Sequence, residues 1–134
     1  MNIKAYLRQI RLLDHEINSK IREKEALYNT LFKIPRLKET MVQESGGGQV
    51  DDIYVKILEI EQEINRDIDR LVDLKREVSC FIDTLEDPRY RIVLRDYYLA
   101  GHTWKQVAVD NHWSCQHVWR LHGEALQALS ERGE

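Results

Sequence analysis

The chain has 134 residues, which is room for one ordinary domain or two small ones and excludes a large enzyme. Apolar residues make up 43% and charged residues 32%, with only 6 Gly and 2 Pro, and this composition predicts an all-α protein. Two cysteines are too few for a disulfide framework, and no apolar stretch approaches the roughly 20 residues of a membrane span. The first residues lack the apolar centre of a signal peptide, so we expect a cytoplasmic protein without membrane contact.

The net charge of −3 is spread along the whole chain. Residues 1–83 carry 14 Lys and Arg against 16 Asp and Glu, and residues 84–134 carry 6 against 7. Proteins that bind duplex DNA strongly rely on a basic surface that neutralises phosphates. Neither part of the sequence is basic, so the charge pattern counts against strong non-specific DNA binding.

Residues 1–84 contain two long segments whose apolar residues recur at steps of three and four, as on one face of a helix. In the first segment these residues are Ile3, Tyr6, Ile10, Leu13, Ile17, Leu27 and Leu31. In the second segment they are Ile53, Ile57, Ile60, Ile64, Leu71, Leu74, Val78, Phe81 and Leu85. Between the segments, Pro35 and the run Ser45-Gly46-Gly47-Gly48 predict a loop over about 35–50.

Sustained heptads with charged neighbours predict coiled-coil packing, in which each helix buries one apolar stripe against a partner. We expect the two helices to fold back on each other as a long antiparallel coiled-coil hairpin, which forms a first domain over residues 1–84. Self-association into a four-helix bundle, and hence a homodimer, is equally compatible with the pattern. Polar residues interrupt the apolar seam at Lys20, Lys24 and Asp67, where they either set register or oligomer state or lie at the frayed edge of the contact.

The pattern changes at residue 85, which predicts a second domain over residues 85–134. Asp87 is a good N-cap for a helix whose first residue is Pro88. Gly101 supplies a left-handed stop after about a dozen helical residues. The face of this helix that is expected to be buried comprises Tyr90, Val93, Leu94, Tyr97 and Tyr98.

Two further helices are predicted after this one. Thr103 and Gln106 have the spacing of a capping box, which begins a short helix that ends near Asn111 and His112. Ser114 then caps a longer third helix. The buried face of the third helix is expected to comprise Val118, Leu121, Ala125, Leu126 and Leu129, and Trp113 before it is expected to lie in the core. A short helix, a tight turn and a longer helix form a helix-turn-helix, whose second helix enters the major groove of DNA.

The order and spacing of these signals also carry a family resemblance. The relevant residues are Tyr97-Tyr98-Leu99-Ala100-Gly101-His102-Thr103-Trp104-Lys105-Gln106-Val107-Ala108, then Trp113-Ser114 and the third-helix face, with the lead-in at 85–91. They resemble the region 4 helix-turn-helix of sigma-70-type factors. With a helical hairpin before it, the layout further resembles small phage-encoded transcription regulators of the ArpU and RinA type.

These resemblances imply a phage-type transcriptional regulator that binds double-stranded promoter DNA in a bacterial host cell. They leave contact with host RNA polymerase open. The sequence departs from the sigma pattern in its third helix, which carries a single arginine, Arg120, where sigma factors commonly carry several basic residues.

Under this resemblance, the outward positions Gln116, His117 and Arg120 are expected to touch base edges, because Gln suits adenine and Arg suits guanine. Trp119 is expected, in this order, to pack on the preceding helix, to stack at a partner surface or to meet DNA.

Phosphate contacts are expected from the backbone amides at the two helix starts, Thr103 and Ser114, and from Lys105. Further basic candidates lie in the first helix of the domain, at Arg89, Arg91 and Arg95.

No combination of nucleophile, base and electrophile is visible, so we predict no catalytic residues and no enzymatic activity. Four potential zinc ligands lie close in sequence, at His112, Cys115, His117 and His122. Structural zinc sites usually combine paired ligands from two separate segments, so no metal and no cofactor is expected. The alternative function is a coiled-coil interaction module that binds RNA polymerase or a repressor without strong DNA binding of its own.

Overall fold

The computed structural model describes residues 2–40 and 46–133. Its two long helices are α1 (Ile3–Thr40) and α2 (Gly46–Ile82). Three shorter helices follow: α3 (Pro88–Leu94), which continues into a π-helical turn at Arg95–Leu99, then α4 (Trp104–Asp110) and α5 (Cys115–Arg132). The described residues contain no strand, so the prediction of an all-α protein is confirmed. Over the same residues, no helix combines the length and apolar character that crossing a bilayer requires.

The predicted loop over 35–50 is too long. Helix α1 continues through Pro35 to Thr40, and α2 already begins at Gly46, so residues 35–40 and 46–50 of the predicted loop are helical. The remaining residues of the predicted loop, 41–45, lie outside the described residues. A proline inside a helix removes one backbone hydrogen bond, and the residue directly before Pro35, Ile34, is buried. The glycines at the start of α2 occupy the first turn, where the backbone amides have no intrahelical partner anyway.

The chain forms two compact units, which are Met1–Asp14 with Leu71–Glu134, and His15–Arg70. This division differs from the predicted domains over 1–84 and 85–134, because the first residues of α1 and the last residues of α2 belong to the same unit as α3, α4 and α5. We call the first unit the terminal unit and the second the long-helix unit.

In the long-helix unit, α1 and α2 pair in opposite directions. Lys20 Nζ donates to Asp67 Oδ2 at 2.6 Å, and further along α1 the hydroxyl of Tyr28 donates to Glu61 Oε1 at 3.3 Å, earlier along α2. Later residues of α1 therefore face earlier residues of α2, as in an antiparallel pair of helices. The buried residues of this unit are Ile17, Ile34, Ile57, Ile60 and Ile64.

Two of the three polar interruptions of the seam, Lys20 and Asp67, contact each other. The side chains of Lys20 and Asp67 are only 23% and 21% exposed, and the hydrogen bond to Asp67 raises the pKa of Lys20. Glu16 and Glu63 lie 3.8 Å from the same ammonium group. Lys20 and Asp67 thus lie within the helix contact and not at a frayed edge, and the pair matches α1 to α2 in one register.

The terminal unit holds most of the buried residues that the structure describes. These are Ile3, Leu7, Ile10, Leu13, Leu71, Val78, Ile82, Leu85, Val93, Leu94, Tyr98, Val107, Ala108, Val118, Leu121, Ala125 and Leu129. Leu7 and Ile82 are fully buried although the heptad pattern omitted them, whereas the predicted seam residues Tyr6 and Phe81 are only partly buried. A helix that packs against more than one neighbour buries a wider face than a two-helix seam, which explains this difference.

Candidate nucleic-acid interface

The start of α3 is built as predicted, with Asp87 as the N-cap and Pro88 in the first turn. The Asp87 carboxylate accepts a hydrogen bond from the backbone amide of Arg89 at 2.9 Å and from the Arg89 guanidinium at 2.9 Å. The Arg89 side chain and backbone amide together lower the pKa of Asp87. These contacts favour the ionised form of the cap, and Arg89 is partly neutralised by its own neighbour.

The other two arginines of this helix also bind the protein itself. Arg91 donates to the backbone carbonyl oxygens of Leu85 and Glu86, at 2.6 and 3.0 Å. Arg95 donates to Ser79 Oγ at 2.9 Å and forms an ion pair with Asp83. All three arginines that the sequence offered as further phosphate contacts thus hold the end of α2 and the start of α3.

An arginine that sequence reasoning missed fixes the junction between α3 and α4. Arg11 of α1 donates to the carbonyl oxygens of Tyr97 and His102, at 2.7 and 3.2 Å, and its guanidinium lies 4.0 Å from the centre of the Tyr97 ring. On the same ring, Trp104 stacks at 3.6 Å with planes only 7° apart. Gly101 has φ of 75°, the left-handed conformation that glycine adopts without strain. The first turn of α4 is therefore held in a cation–aromatic stack.

The predicted capping box of α4 is confirmed in both directions. The Thr103 hydroxyl accepts from the Gln106 backbone amide at 3.1 Å, and the Thr103 amide donates to Gln106 Oε1 at 2.8 Å. The backbone amide of Thr103 is therefore engaged within the capping box, and its hydroxyl oxygen already accepts one hydrogen bond. Lys105 in the same turn is exposed and forms no ion pair within residues 2–40 and 46–133.

The turn between α4 and α5 is a Schellman motif. Trp113 N donates to Ala108 O at 2.9 Å and His112 N donates to Val109 O at 3.3 Å, which closes the end of α4. His112 has φ of 59°, in the left-handed region where glycine is usual. No residue type in the sequence marks this turn as left-handed, so the sequence analysis did not identify it.

Helix α5 begins at the predicted cap, where Ser114 Oγ accepts from the backbone amide of His117 at 3.1 Å. Its inner row is fully buried and comprises Val118, Leu121, Ala125 and Leu129. Its outer row includes the exposed side chains of Gln116, Trp119 and Arg120. The first turns of α5 therefore separate one apolar face from one polar and aromatic face.

The tryptophans differ in their positions. Trp113 is partly buried and packs against the core cluster of α3, α4 and α5, close to the predicted core position. Trp119 is 55% exposed, which does not fit the expectation that it packs on the preceding helix. The partner surface and the DNA contact remain as its predicted roles.

A polar network runs along the outer face of α5. The hydroxyl of Tyr90 donates to Glu124 Oε2 at 3.1 Å, and Glu124 Oε1 lies 3.9 Å from Arg120 Nε. Arg120 Nη2 contacts His117 Nδ1 at 2.7 Å, and the His117 ring meets the Trp113 ring edge-on with centres 5.6 Å apart. We call these five residues the Arg120 network.

His122 points in the opposite direction, into the protein. Its Nε2 lies 2.7 Å from the hydroxyl of Tyr98, and Trp104 meets its ring edge-on. Burial, with a smaller contribution from Lys4, lowers the pKa of His122 to about 4, and burial raises the pKa of Tyr98 to about 12. The spacing of four residues from Val118 already indicated that His122 faces the core, a signal that sequence reasoning did not use.

The structure thus brings Gln116, His117, Trp119 and Arg120 onto the outer face at the start of α5, with Ser114 as its cap. Thr103 and Lys105 lie at the start of α4. Among the described residues, no group of three or more His, Cys, Asp or Glu side chains is arranged to hold a metal ion.

Comparisons with known proteins give one family. No curated protein and no solved structure matches the chain. The family described as "Protein of unknown function (DUF1492)" matches residues 31–130, a range that includes α2, α3, α4 and most of α5, and the chain belongs to this family.

Proposed function

We propose that this protein is a non-enzymatic, phage-type transcriptional regulator that binds promoter DNA in the cytoplasm of a bacterial host. In this proposal α1 and α2 form a helical hairpin, and α4 and α5 form a helix-turn-helix of the sigma-70 region 4 type. The observation that carries the proposal is the division of α5 into a fully buried row and an exposed row of Gln116, Trp119 and Arg120.

The position of the exposed residues along α5 supports this proposal. The major groove of B-DNA is about 12 Å wide and admits one α-helix, whose N-terminal residues then reach base edges. Gln116, His117 and Arg120 all lie in the first two turns of α5. Two side-chain caps and the Schellman turn fix the crossing of α4 and α5, so the exposed row is presented by a rigid support.

The electrostatics favour weak binding with modest salt dependence. Arg11, Arg89, Arg91 and Arg95 are engaged within the terminal unit, so the basic side chains that the proposal uses are Lys105 at the start of α4 and Arg120 on α5. With about two to three phosphate contacts, a fourfold rise in salt should weaken binding about 10- to 40-fold, far less than for a strongly basic DNA-binding protein.

Fluorescence anisotropy tests the proposal with DNA from upstream of the operon that encodes the protein. Affinity is measured at about 50 and about 200 mM salt. Arg120→Ala should weaken specific binding by about 1 to 3 kcal/mol if Arg120 contacts a base. Arg132→Ala is the matched control, because it removes the same charge near the other end of α5, where Arg132 faces Glu86. Equal effects of the two variants, or no binding at either salt concentration, would contradict base recognition by α5.

A second candidate function is a protein-interaction module that binds RNA polymerase or a repressor. It is favoured by large apolar side chains that the long-helix unit leaves exposed, among them Phe32 at 77%, Tyr54 and Leu58. Phe32→Ser with Leu58→Ser should abolish capture of polymerase by the full chain and leave DNA binding unchanged. Unaltered capture by this double variant would contradict a role for that surface.

The same exposed apolar side chains would also be available to a homodimer through the hairpin. A dimer presents two copies of α5 and predicts two half-sites about 10 bp apart. Sedimentation of the full chain decides this point, because Phe32→Ser should convert a dimer into a monomer. A monomeric wild-type protein that binds DNA tightly by itself would exclude the dimer.

A further inference from the structure

The side chain of Arg120 contacts two neighbouring side chains although it lies on the exposed face of α5. Exposed arginine side chains usually sample many rotamers, and fixing one in place has an entropic cost. Here two separate groups hold the guanidinium, with Glu124 facing Nε and His117 contacting Nη2. Glu124 is itself held by the hydroxyl of Tyr90, which belongs to α3.

The contact with Arg120 also determines how His117 is protonated. A guanidinium group has donors only, so His117 Nδ1 must accept the hydrogen bond from Arg120 Nη2. An imidazole that accepts through Nδ1 carries its proton on Nε2. His117 therefore carries an N–H donor at Nε2, and Arg120 keeps further donors that neither Glu124 nor His117 engages.

The side chains of Arg120 and His117 offer donors in this arrangement, and donors are complementary to a base edge that offers acceptors only. In the major groove, the guanine edge presents two acceptors, N7 and O6, whereas adenine presents one acceptor and one donor. Cytosine presents a donor, and thymine presents one acceptor and a methyl group. Guanine is thus the base whose edge fits the donors of Arg120 and His117.

We infer that Glu124, held by Tyr90, is a positioning residue that orients Arg120, and that Arg120 with His117 selects guanine at one position of the bound duplex. This inference rests on the proposed DNA binding through α5. Glu124 touches no base in this scheme and acts only through Arg120.

The removal of the Glu124 charge should have two opposite effects. Glu124→Gln removes a negative charge next to the interface, so overall affinity for duplex DNA should rise. The same change loosens Arg120, so the preference for guanine should fall. A purely electrostatic role of Glu124 would raise affinity and leave the preference unchanged.

The experiment uses the full chain and a pool of duplexes with a short random core, sequenced before and after selection. The wild-type protein should enrich sites with guanine at one position, by about 5- to 150-fold over other bases, the range for a bidentate arginine contact. Glu124→Gln should reduce that preference about two- to fivefold, as expected for loss of one exposed ion pair. Tyr90→Phe should reduce it less, because the carboxylate remains.

Glu131→Gln is the matched control, since it removes the same charge from the same helix at a site where the carboxylate accepts from Gln127 and not from Arg120. It should raise affinity without changing base preference. In an Arg120→Ala background, Glu124→Gln should have no further effect on preference, because the residue it orients is gone. Far-UV circular dichroism confirms that each variant folds.

The outcomes separate the two proposals. If the wild-type protein enriches no sequence, DNA recognition by α5 and this inference both fail. If it enriches sites and Glu124→Gln keeps the full guanine preference, DNA binding stands and the positioning role of Glu124 is overturned. A preference for adenine or thymine at the Arg120-dependent position overturns the assignment of guanine.

Discussion

The segment 88–133 and the long-helix unit stabilise their helices by different means. In 88–133 each of the three helices begins at a side-chain cap, namely Asp87, Thr103 and Ser114, and the inner row of α5 is fully buried. In the long-helix unit the two long helices bury a few separate isoleucine side chains and leave Phe32, Tyr54 and Leu58 exposed. Short helices depend on precise ends and a closed core, whereas long helices depend on a continuous seam and can carry apolar residues outside it.

Two leucine truncations should show the largest difference between these regions. Leu121→Ala removes a fully buried side chain and should lower the free energy of unfolding by about 2 to 5 kcal/mol. Leu58→Ala makes the same chemical change at a side chain that is 58% exposed and should cost less than about 0.5 kcal/mol. Urea denaturation of both variants measures the contrast. Comparable costs at the two positions would mean that Leu58 is covered, as in a dimer.

Acid should weaken the terminal unit through His122. Burial lowers the pKa of His122 from 6.5 to about 4, so between these values the unfolded chain binds the proton that the folded protein excludes. Stability is therefore complete above about pH 6.5 and is lost progressively as the pH falls toward 4, by about 1 to 2 kcal/mol because solvent partly screens this half-buried group. Denaturation midpoints measured across this range give the slope.

His122→Gln is the control for that pH dependence. It should lower stability at neutral pH, because it disturbs the contact with Tyr98, yet it should flatten the pH profile in the window from 6.5 to 4. If the variant and the wild-type protein lose stability in parallel as the pH falls, other groups account for the acid sensitivity.

Loss of a cap should have a smaller effect than loss of a core side chain. Thr103→Ala removes the hydroxyl that accepts from the Gln106 amide and should cost about 0.5 to 2 kcal/mol. Thr30→Ala is the matched change in α1, where the hydroxyl bonds the Ala26 carbonyl within the helix, and it should be nearly neutral. Thermal denaturation compares the two variants. If Thr30→Ala loses more stability than Thr103→Ala, the side-chain caps do not contribute to the stability of 88–133 in the way proposed.

The smallest effect should be a gain. His112 adopts a left-handed conformation that strains any residue with a Cβ atom, so His112→Gly should raise the free energy of unfolding by about 0.5 to 1 kcal/mol. The same substitution in a helix, His15→Gly in α1, should instead lower it by a similar amount. If His112→Gly does not raise the free energy of unfolding, the His112 side chain makes a contact that compensates for the backbone strain.

The local signals of the sequence predicted the segment 88–133 well. Caps, a left-handed glycine and apolar spacing are properties of neighbouring residues, and they correctly placed α3, α4 and α5. Four of the five residues expected on the buried face of α5 are fully buried, whereas Leu126 is only partly buried. The sequence could not place Arg11 against the carbonyls of Tyr97 and His102, because that contact joins residues far apart in the chain. It also could not show that Arg89, Arg91 and Arg95 are engaged within the protein.

The long helices were predicted in kind but not in detail. The heptad pattern identified both helices, yet it missed Leu7 and Ile82 and did not indicate that Lys20 faces Asp67. Register between two helices depends on which residues meet across the seam, and a pattern within each helix does not contain that information. The network around Arg120 was missed for the same reason, since Tyr90 and Glu124 belong to different helices.

The most direct test of the central claim is an NMR titration of the isotope-labelled full chain with the duplex that the selection identifies. The account predicts that backbone amide shifts change at Gln116, His117 and Arg120 and around Lys105, and that amides near Phe32 and Leu58 do not change. Shifts confined to the long-helix unit, with the first turns of α5 unaffected, would contradict recognition of DNA by α5.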